Sequence, residues 1–135
     1  MADYVHFDGA HIPFPDEHFD IAYTACMFHH IDHEQHVSLL EELRRVLQPD
    51  GCSFVFEHNP YNPLTVRAVN SCVFDENAKF IKESDMKGRM AVAGFEGALV
   101  NFRVFSNYAF RFLRPIERAV AGLLLGDQYY SMAHK

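Results

Sequence analysis

The first 60 residues alternate between strand-like and helix-like segments, and this alternation restricts the fold more than any other feature of the chain. The nearly continuous apolar run over residues 21–28 is typical of a strand buried on both faces of a parallel sheet. An amphipathic stretch follows, and Pro49 and Gly51 end that helix before a second strand over residues 52–57. Strand, helix and strand in this order predict an α/β fold with right-handed crossovers. The apolar stripe of the predicted helix consists of Leu39, Leu40, Leu43, Val46 and Leu47.

The other predicted elements are shorter. Residues 4–7 are expected to form a strand that stops at Asp8 and Gly9. Asp32 and Gln35 resemble a capping box before the first helix, and Ser84 is a candidate N-cap for a helix that ends at Gly94. The remaining expected elements are a short helix over 64–72, a strand over 97–105, an irregular helix over 107–125 and a last strand over 128–132.

Length and composition indicate one small globular domain. The chain has 135 residues, of which 49% are hydrophobic, and a net charge of -6 that argues against a nucleic-acid partner. Three cysteines are an odd number and fit a reducing compartment, so a cytoplasmic location is expected. The first residues show no signal-peptide pattern, and no apolar run reaches the roughly 18 residues needed to cross a bilayer.

Five short motifs occur in a characteristic order, and together they resemble the second half of a class I S-adenosylmethionine-dependent methyltransferase of the type 11 kind. They are Asp8-Gly9-Ala10-x-x-Pro13-Phe14, Phe19-Asp20-Ile21-Ala22, Phe28-His29-His30-Ile31, Arg44-Arg45-Val46-Leu47-x-Pro49-x-Gly51 and Ala93-Gly94-Phe95. The resemblance implies an incomplete Rossmann-like sheet, strands three to seven of seven, with flanking helices. Residues 1–135 would then form a single partial methyltransferase domain with a candidate lid helix over 107–126.

The resemblance also implies a site for S-adenosylmethionine. Asp8 would accept a hydrogen bond from the adenine, Gly9 and Ala10 would approach it with their backbone, and Thr24 would contact the cofactor as well. His29 and His30 follow the fourth strand of the family, and one of them would take a proton from a small-molecule, glycan or lipid acceptor.

Glu57, His58 and Asn59 end the next strand and would line the same opening, as substrate contacts. Each of these residues also has a simpler interpretation. Asp8 would bond its own backbone in a turn, the histidines would pack or bond to backbone, and the residues before Pro60 would form loop hydrogen bonds.

The sequence contains no Gly-x-Gly-x-Gly motif and no match to the family's first two strands. This predicts a truncated chain that holds the cofactor mainly at its adenine end. It also predicts an exposed sheet edge, which favours a homo-oligomer or another partner. A non-catalytic remnant or partner-binding module is therefore the alternative to an active enzyme.

A weaker alternative is a metal hydrolase with histidine ligands. His29, His30, His33 and His36 are close in sequence, but no Glu-rich or Cys-rich partner set has zinc spacing. We therefore expect no metal site, and we expect His33 and His36 to be solvated helix residues. The apolar segment within 107–126 is the candidate for peripheral membrane contact.

Overall fold

The computed structural model describes residues 4–103 and 126–135 of the chain. In these residues a sheet is flanked by helices, with three short 3₁₀ helices in the connections. The strands are β1 (Phe19–Ala25), β2 (Leu47–His58), β3 (Glu96–Arg103) and β4 (Gln128–His134). The helices are α1 (His36–Val46), α2 (Pro63–Asn70) and α3 (Glu83–Val92), and the 3₁₀ helices are Phe28–His30, His33–Gln35 and Val73–Asp75.

The sheet has the strand order β1-β2-β4-β3. β1 and β2 are parallel, as the strand–helix–strand pattern predicts, whereas β4 runs antiparallel to both β2 and β3. Within the described residues β1 pairs on one side only, and Ile21 and Tyr23 on it are exposed. This exposed edge of β1 is the one that the sequence predicts.

The core lies between one face of the sheet and the helices α1 and α3. Leu39, Leu40, Leu43 and Val46 of α1 are buried, which confirms the predicted stripe. Met86 and Met90 of α3 pack into the same hydrophobic core. Val55 and Tyr129 contribute to this core from the sheet. Complete burial of one such side chain stabilises a fold by about 1.5–3 kcal/mol, so this layer holds the two helices against the sheet.

Several predicted details are confirmed. The helix predicted over 64–72 is α2, and Asn62 caps it by accepting hydrogen bonds from Leu64 N and Thr65 N. The strands predicted over 97–105 and 128–132 are β3 and β4. Gly94 has φ +89°, the left-handed conformation expected after α3.

Three local predictions are wrong. Residues 4–7 form no strand, because no described strand lies beside them to supply a hydrogen-bond ladder. Ser84 lies inside α3, whose N-cap is Lys82. Asp32 precedes a 3₁₀ helix instead of α1, and its side chain makes no capping bond.

The predicted lid helix over 107–126 lies outside the described residues apart from Gly126. In the described ranges no helix is both long enough and apolar enough to cross a membrane.

Candidate functional site

The candidate site lies where the parallel strands β1 and β2 end together. Ala25 and Phe56 are paired at the last register position of the two strands. Cys26 then takes a left-handed conformation, φ 50°, which turns the chain out of the sheet and into the 3₁₀ helix Phe28–His30. Ligands of open α/β sheets bind beyond the carboxyl ends of the strands, so side chains at this edge are placed for binding.

A buried carboxylate at the end of β2 holds the ring of His29. The Nδ1 atom of His29 lies 2.7 Å from Oε2 of Glu57, and the two side chains are 2% and 1% exposed. The other oxygen, Oε1, accepts a hydrogen bond of 2.8 Å from the backbone N–H of Phe28. Glu57 therefore fixes both the position and the orientation of the imidazole ring.

Asp75 approaches the same histidine from the other side. Its Oδ1 atom lies 3.3 Å from Nε2 of His29 and 3.3 Å from Nε2 of His30. The side chains of Asp75 and His30 are 16% and 42% exposed, so they connect the buried pair to the surface. We call His29, His30, Glu57 and Asp75 the histidine–carboxylate cluster.

The cluster favours a positive charge on His29. Burial lowers the pKa of His29, but hydrogen bonds and negative charge from Glu57 and Asp75 outweigh burial, and the pKa is raised. A hydrogen bond from the Cys72 side chain, together with His29, lowers the pKa of Asp75 despite its partial burial. The raised pKa of His29 and the lowered pKa of Asp75 thus both favour an ion pair between these two side chains.

Of the three residues predicted as substrate contacts at the end of β2, only His58 lines an open pocket. Glu57 faces inward onto His29, and Asn59 is completely buried, with its Nδ2 donating to the backbone oxygen of Gly126 at 2.6 Å. Because alternate residues of a strand face opposite sides, Glu57 and His58 point away from each other. The ring of His58 nevertheless lies near that of His29, with 4.9 Å between the centroids.

The pocket beside His58 has a volume of about 640 Å³. Leu64, Thr65, Ala68 and Val69 of α2 form one wall, Gln128 contributes from the start of β4, and Asp127 contributes from the residue before it. The lining combines three apolar side chains with the polar side chains of His58, Thr65, Asp127 and Gln128. Burial and the nearby charge of His29 lower the pKa of His58, which keeps its ring neutral near pH 7. The described walls therefore suit an uncharged molecule better than an anion.

The predicted cofactor loop is an ordered turn. Oδ1 of Asp8 accepts hydrogen bonds from the backbone N–H groups of Ala10 at 2.9 Å and His11 at 2.8 Å, and these bonds lower the pKa of the carboxyl. Gly9 has φ +90°, a conformation that side chains rarely adopt. The local interpretation of Asp8 as a turn residue is confirmed, and its exposed, ionised carboxylate remains available to a ligand.

Arg45 of α1 fixes the loop that follows this turn. Its guanidinium donates to the backbone oxygens of Ile12 and Phe14, each at 2.9 Å, and pairs with Glu42 of the same helix. Glu42 in turn accepts from Ile12 N at 3.0 Å. The loop is therefore bound to a core helix, although few of its own side chains are buried.

Thr24 is the predicted cofactor contact that lies deepest in the fold. It is buried in β1 in register with Val55, a core residue, and its hydroxyl has no hydrogen-bond partner among the described residues. A contact between Thr24 and a cofactor stays a prediction.

The expectation that His36 is a solvated helix residue is wrong. His36 is fully buried, its Nε2–H donates to the backbone oxygen of Ile31 at 3.0 Å, and Arg89 donates to its Nδ1. Its position three and four residues before Leu39 and Leu40 places it on the apolar face of α1, a signal that the sequence already contained.

Sequence reasoning missed Asp75. It lies 46 residues after His29, in a 3₁₀ helix for which the sequence showed no pattern. Only the path of the chain across the ends of β1 and β2 brings this carboxylate to the two histidines.

Comparison with known proteins agrees with this architecture. Residues 1–55 match the model of a methyltransferase domain family. A ubiquinone/menaquinone biosynthesis C-methyltransferase, UbiE, from Ectopseudomonas mendocina is 28% identical over 115 residues, which cover 69% of this chain and 44% of that protein. The UbiE protein of Stutzerimonas stutzeri matches to the same extent. The chain thus spans less than half the length of these relatives.

Solved structures share the fold. A SAM-dependent methyltransferase from Thermotoga maritima, described as a possible histamine N-methyltransferase, superimposes with a TM-score of 0.69 at 19% identity, over 94% of this chain and 61% of that one. A SAM-dependent methyltransferase from Archaeoglobus fulgidus gives a TM-score of 0.66 at 17% identity, over 90% and 61% of the two chains.

In sequence and fold the chain therefore resembles the class I S-adenosylmethionine-dependent methyltransferases, as the motifs predicted. The Rossmann-like sheet of that class is confirmed for the part that corresponds to the four described strands.

Proposed function

We propose that this chain takes part in methyl transfer from S-adenosylmethionine to an uncharged small-molecule acceptor. The observation that carries the proposal is the position of the histidine–carboxylate cluster. It lies at the carboxyl ends of two parallel strands, with His58 between it and the pocket beside α2. The sequence match to methyltransferases supplies the reaction class.

The transfer is an in-line displacement. A lone pair or carbanion of the acceptor attacks the methyl carbon, the bond from that carbon to sulfur breaks, and the electron pair stays on the sulfur of S-adenosylhomocysteine. The protein mainly has to hold donor and acceptor in line, which alone accounts for a large part of such rate enhancements. An acceptor that carries a proton also needs a base.

In this proposal His30 is the base. Its Nε2 lies within hydrogen-bond distance of Oδ1 of Asp75, so a proton on Nε2 is held there and Nδ1 keeps the lone pair. Asp75 then fixes the tautomer and favours the imidazolium that forms after proton transfer, as the aspartate of a hydrolase triad does. The buried pair of His29 and Glu57 is the support against which His30 is positioned.

The pocket of α2 and His58 would hold the acceptor. The wall from α2 is largely apolar, His58 is neutral and Asp127 disfavours negative charge, so an uncharged ring or chain fits better than an anion. The names of the UbiE relatives point to a carbon acceptor in quinone biosynthesis. We include a carbon nucleophile of that kind beside oxygen and nitrogen acceptors.

The turn of Asp8, Gly9 and Ala10 would hold the adenine end of the cofactor. The two backbone bonds to Oδ1 keep Asp8 ionised and leave its other oxygen to accept from an amino group. Arg45 keeps the loop in place through its bonds to backbone oxygens.

Calorimetric titration with S-adenosylmethionine tests the proposal. We expect saturable heat with one site, weakened by Asp8→Ala and unaffected by Asp20→Ala, a control at another exposed aspartate. The absence of heat at any accessible concentration would contradict the proposal. It would favour the alternative that the chain is a non-catalytic module binding a partner, for which the exposed edge of β1 is the specific observation.

A further inference from the structure

Three atoms of the histidine–carboxylate cluster are spaced like ligands of one metal ion. Oδ1 of Asp75 lies 3.3 Å from Nε2 of His29 and 3.3 Å from Nε2 of His30. All three atoms lie within 4.8 Å of one another. Bonds to zinc are about 2.0–2.2 Å long, so two neighbouring ligands of a tetrahedral ion lie roughly 3.3–3.6 Å apart. Two of the three separations already have this length.

The support of His29 is an independent observation. A histidine that binds a metal through one nitrogen usually donates the N–H of its other nitrogen to a carboxylate, which sets the tautomer and aims the ring. Glu57 does this here, because its Oε2 lies 2.7 Å from Nδ1 of His29. Glu57 is itself held by the backbone N–H of Phe28. The remaining nitrogen, Nε2, is thereby aimed at Asp75.

The donor set selects the kind of ion. Two imidazoles and one carboxylate suit zinc and similar transition metals, whereas magnesium and calcium prefer an all-oxygen site. Three protein ligands leave a fourth tetrahedral position for water or for an oxygen of a bound molecule. His30 and Asp75 are partly exposed, so an ion can enter from solvent.

We propose that His29, His30 and Asp75 bind one divalent transition-metal ion of the zinc class, with Glu57 orienting His29. The sequence predicted no metal site, because the four histidines at positions 29, 30, 33 and 36 had no Glu-rich or Cys-rich partner set with zinc spacing. The structure removes His36 from that set, since both of its ring nitrogens already have partners. It adds Asp75 instead.

This site does not depend on the proposed methyl transfer. A metal ion on Nε2 of His30 leaves the proton on Nδ1, so an occupied site removes the base assigned to His30 above. Metal binding and cofactor binding are therefore measured in separate experiments. A negative result in one experiment does not contradict the proposal that the other tests.

Titration of the full chain with Zn²⁺ in the absence of cofactor, after removal of metal with a chelator, tests the proposal. We expect one ion per chain by calorimetry, and with Co²⁺ the visible absorption of a tetrahedral complex. His30→Ala and Asp75→Asn should each weaken binding at least about tenfold, and Glu57→Gln by about 10–100-fold through the orientation of His29. His33→Ala is the matched control on an exposed neighbouring histidine and should bind as the unchanged chain does.

Equal affinity in the unchanged chain and in a chain carrying both His30→Ala and Asp75→Asn would overturn the proposal. Loss of binding with His33→Ala would overturn it as well, because the ion would then be held by the other histidines. If Glu57→Gln fails to fold, His30→Ala still decides the outcome, since this side chain is partly exposed and outside the core.

Discussion

Glu57 and His29 form a buried pair in which one carboxylate binds both an imidazole and a backbone N–H. The distance from Oε2 to Nδ1 of His29 is 2.7 Å, and that from Oε1 to Phe28 N is 2.8 Å. This relationship joins the end of β2 to the turn after β1, so it connects the stability of the sheet edge with the geometry of the candidate site.

Glu57→Gln should lower the free energy of unfolding. The amide oxygen can still accept from Phe28 N, but the negative charge that stabilises His29 is lost. Because hydrogen bonds to charged groups contribute about 1.5–3 kcal/mol each, we expect a loss of roughly that size in urea denaturation. Glu41→Gln, an exposed change on α1, should stay within about 0.5 kcal/mol. Equal stability of Glu57→Gln and the unchanged chain would show that the pair contributes nothing to the fold.

His36 should make stability depend on pH. Burial, with a contribution from the charge of Arg89, lowers its pKa below 6.5, so the unfolded chain binds the proton more readily than the folded chain. The contribution of His36 to the free energy of unfolding is therefore fully present above pH 6.5. It decreases as the pH falls below that value, with a slope of at most about 1.4 kcal/mol per pH unit.

His36→Gln tests the assignment of this slope. Glutamine can donate to Ile31 O and accept from Arg89 but does not titrate, so the part of the slope below pH 6.5 that His36 causes should disappear. His33→Gln, which removes only the smaller contribution of the neighbouring charge to the pKa of His36, should keep most of it. Thermal denaturation of the three proteins between about pH 5 and 8 measures the difference, and identical slopes in all three would exclude His36 as the cause.

Two glycines should respond to alanine in opposite directions. Gly94 has φ +89° and a Cβ there would approach the side chain of Arg44 to 3.2 Å, so Gly94→Ala should destabilise by about 1 kcal/mol or more. Gly88 lies within α3 with open space around it, so Gly88→Ala should stabilise by about 0.5–1 kcal/mol. Chemical denaturation of both variants measures whether each substitution raises or lowers the free energy of unfolding. A stabilising Gly94→Ala would contradict the left-handed turn.

His30→Gln should reduce methyl transfer while leaving cofactor binding unchanged. General-base catalysis contributes about 10²–10⁴-fold, so the turnover of an acceptor that carries a proton should fall within that range. His33→Gln is the control for loss of a nearby histidine. Transfer of labelled methyl to oxygen, nitrogen and carbon acceptors measures the effect. An unchanged rate with every acceptor that the chain methylates would remove His30 from the mechanism.

Local periodicity predicted most of the fold. The stripe from Leu39 to Val46 defined α1, and the apolar run after Phe19 defined β1, because both patterns depend on residues close in sequence. Gly94 identified the end of α3 for the same reason. The strand predicted at residues 4–7 was wrong. A strand forms only when it pairs with a neighbouring strand, and local sequence does not show whether such a neighbour is present.

The candidate site was predictable in part. The position of His29, His30 and Glu57 at the ends of two parallel strands follows from the strand–helix–strand pattern. Asp75 does not follow from it, because its approach depends on how residues 59–75 cross the edge of the sheet. The direction in which Glu57 faces was also missed, although alternation along β2 from the buried Val55 indicated it.

The most direct test of the proposed function is to map where S-adenosylhomocysteine binds, using the backbone amide signals of the labelled chain in an NMR titration. Binding at the proposed site predicts the largest shifts at Gly9 and Ala10 of the Asp8 turn and at His29 and His30, which follow the carboxyl end of β1. Shifts confined to the opposite end of the sheet, around Gly51 and Gly97, or no shifts at all, would contradict it.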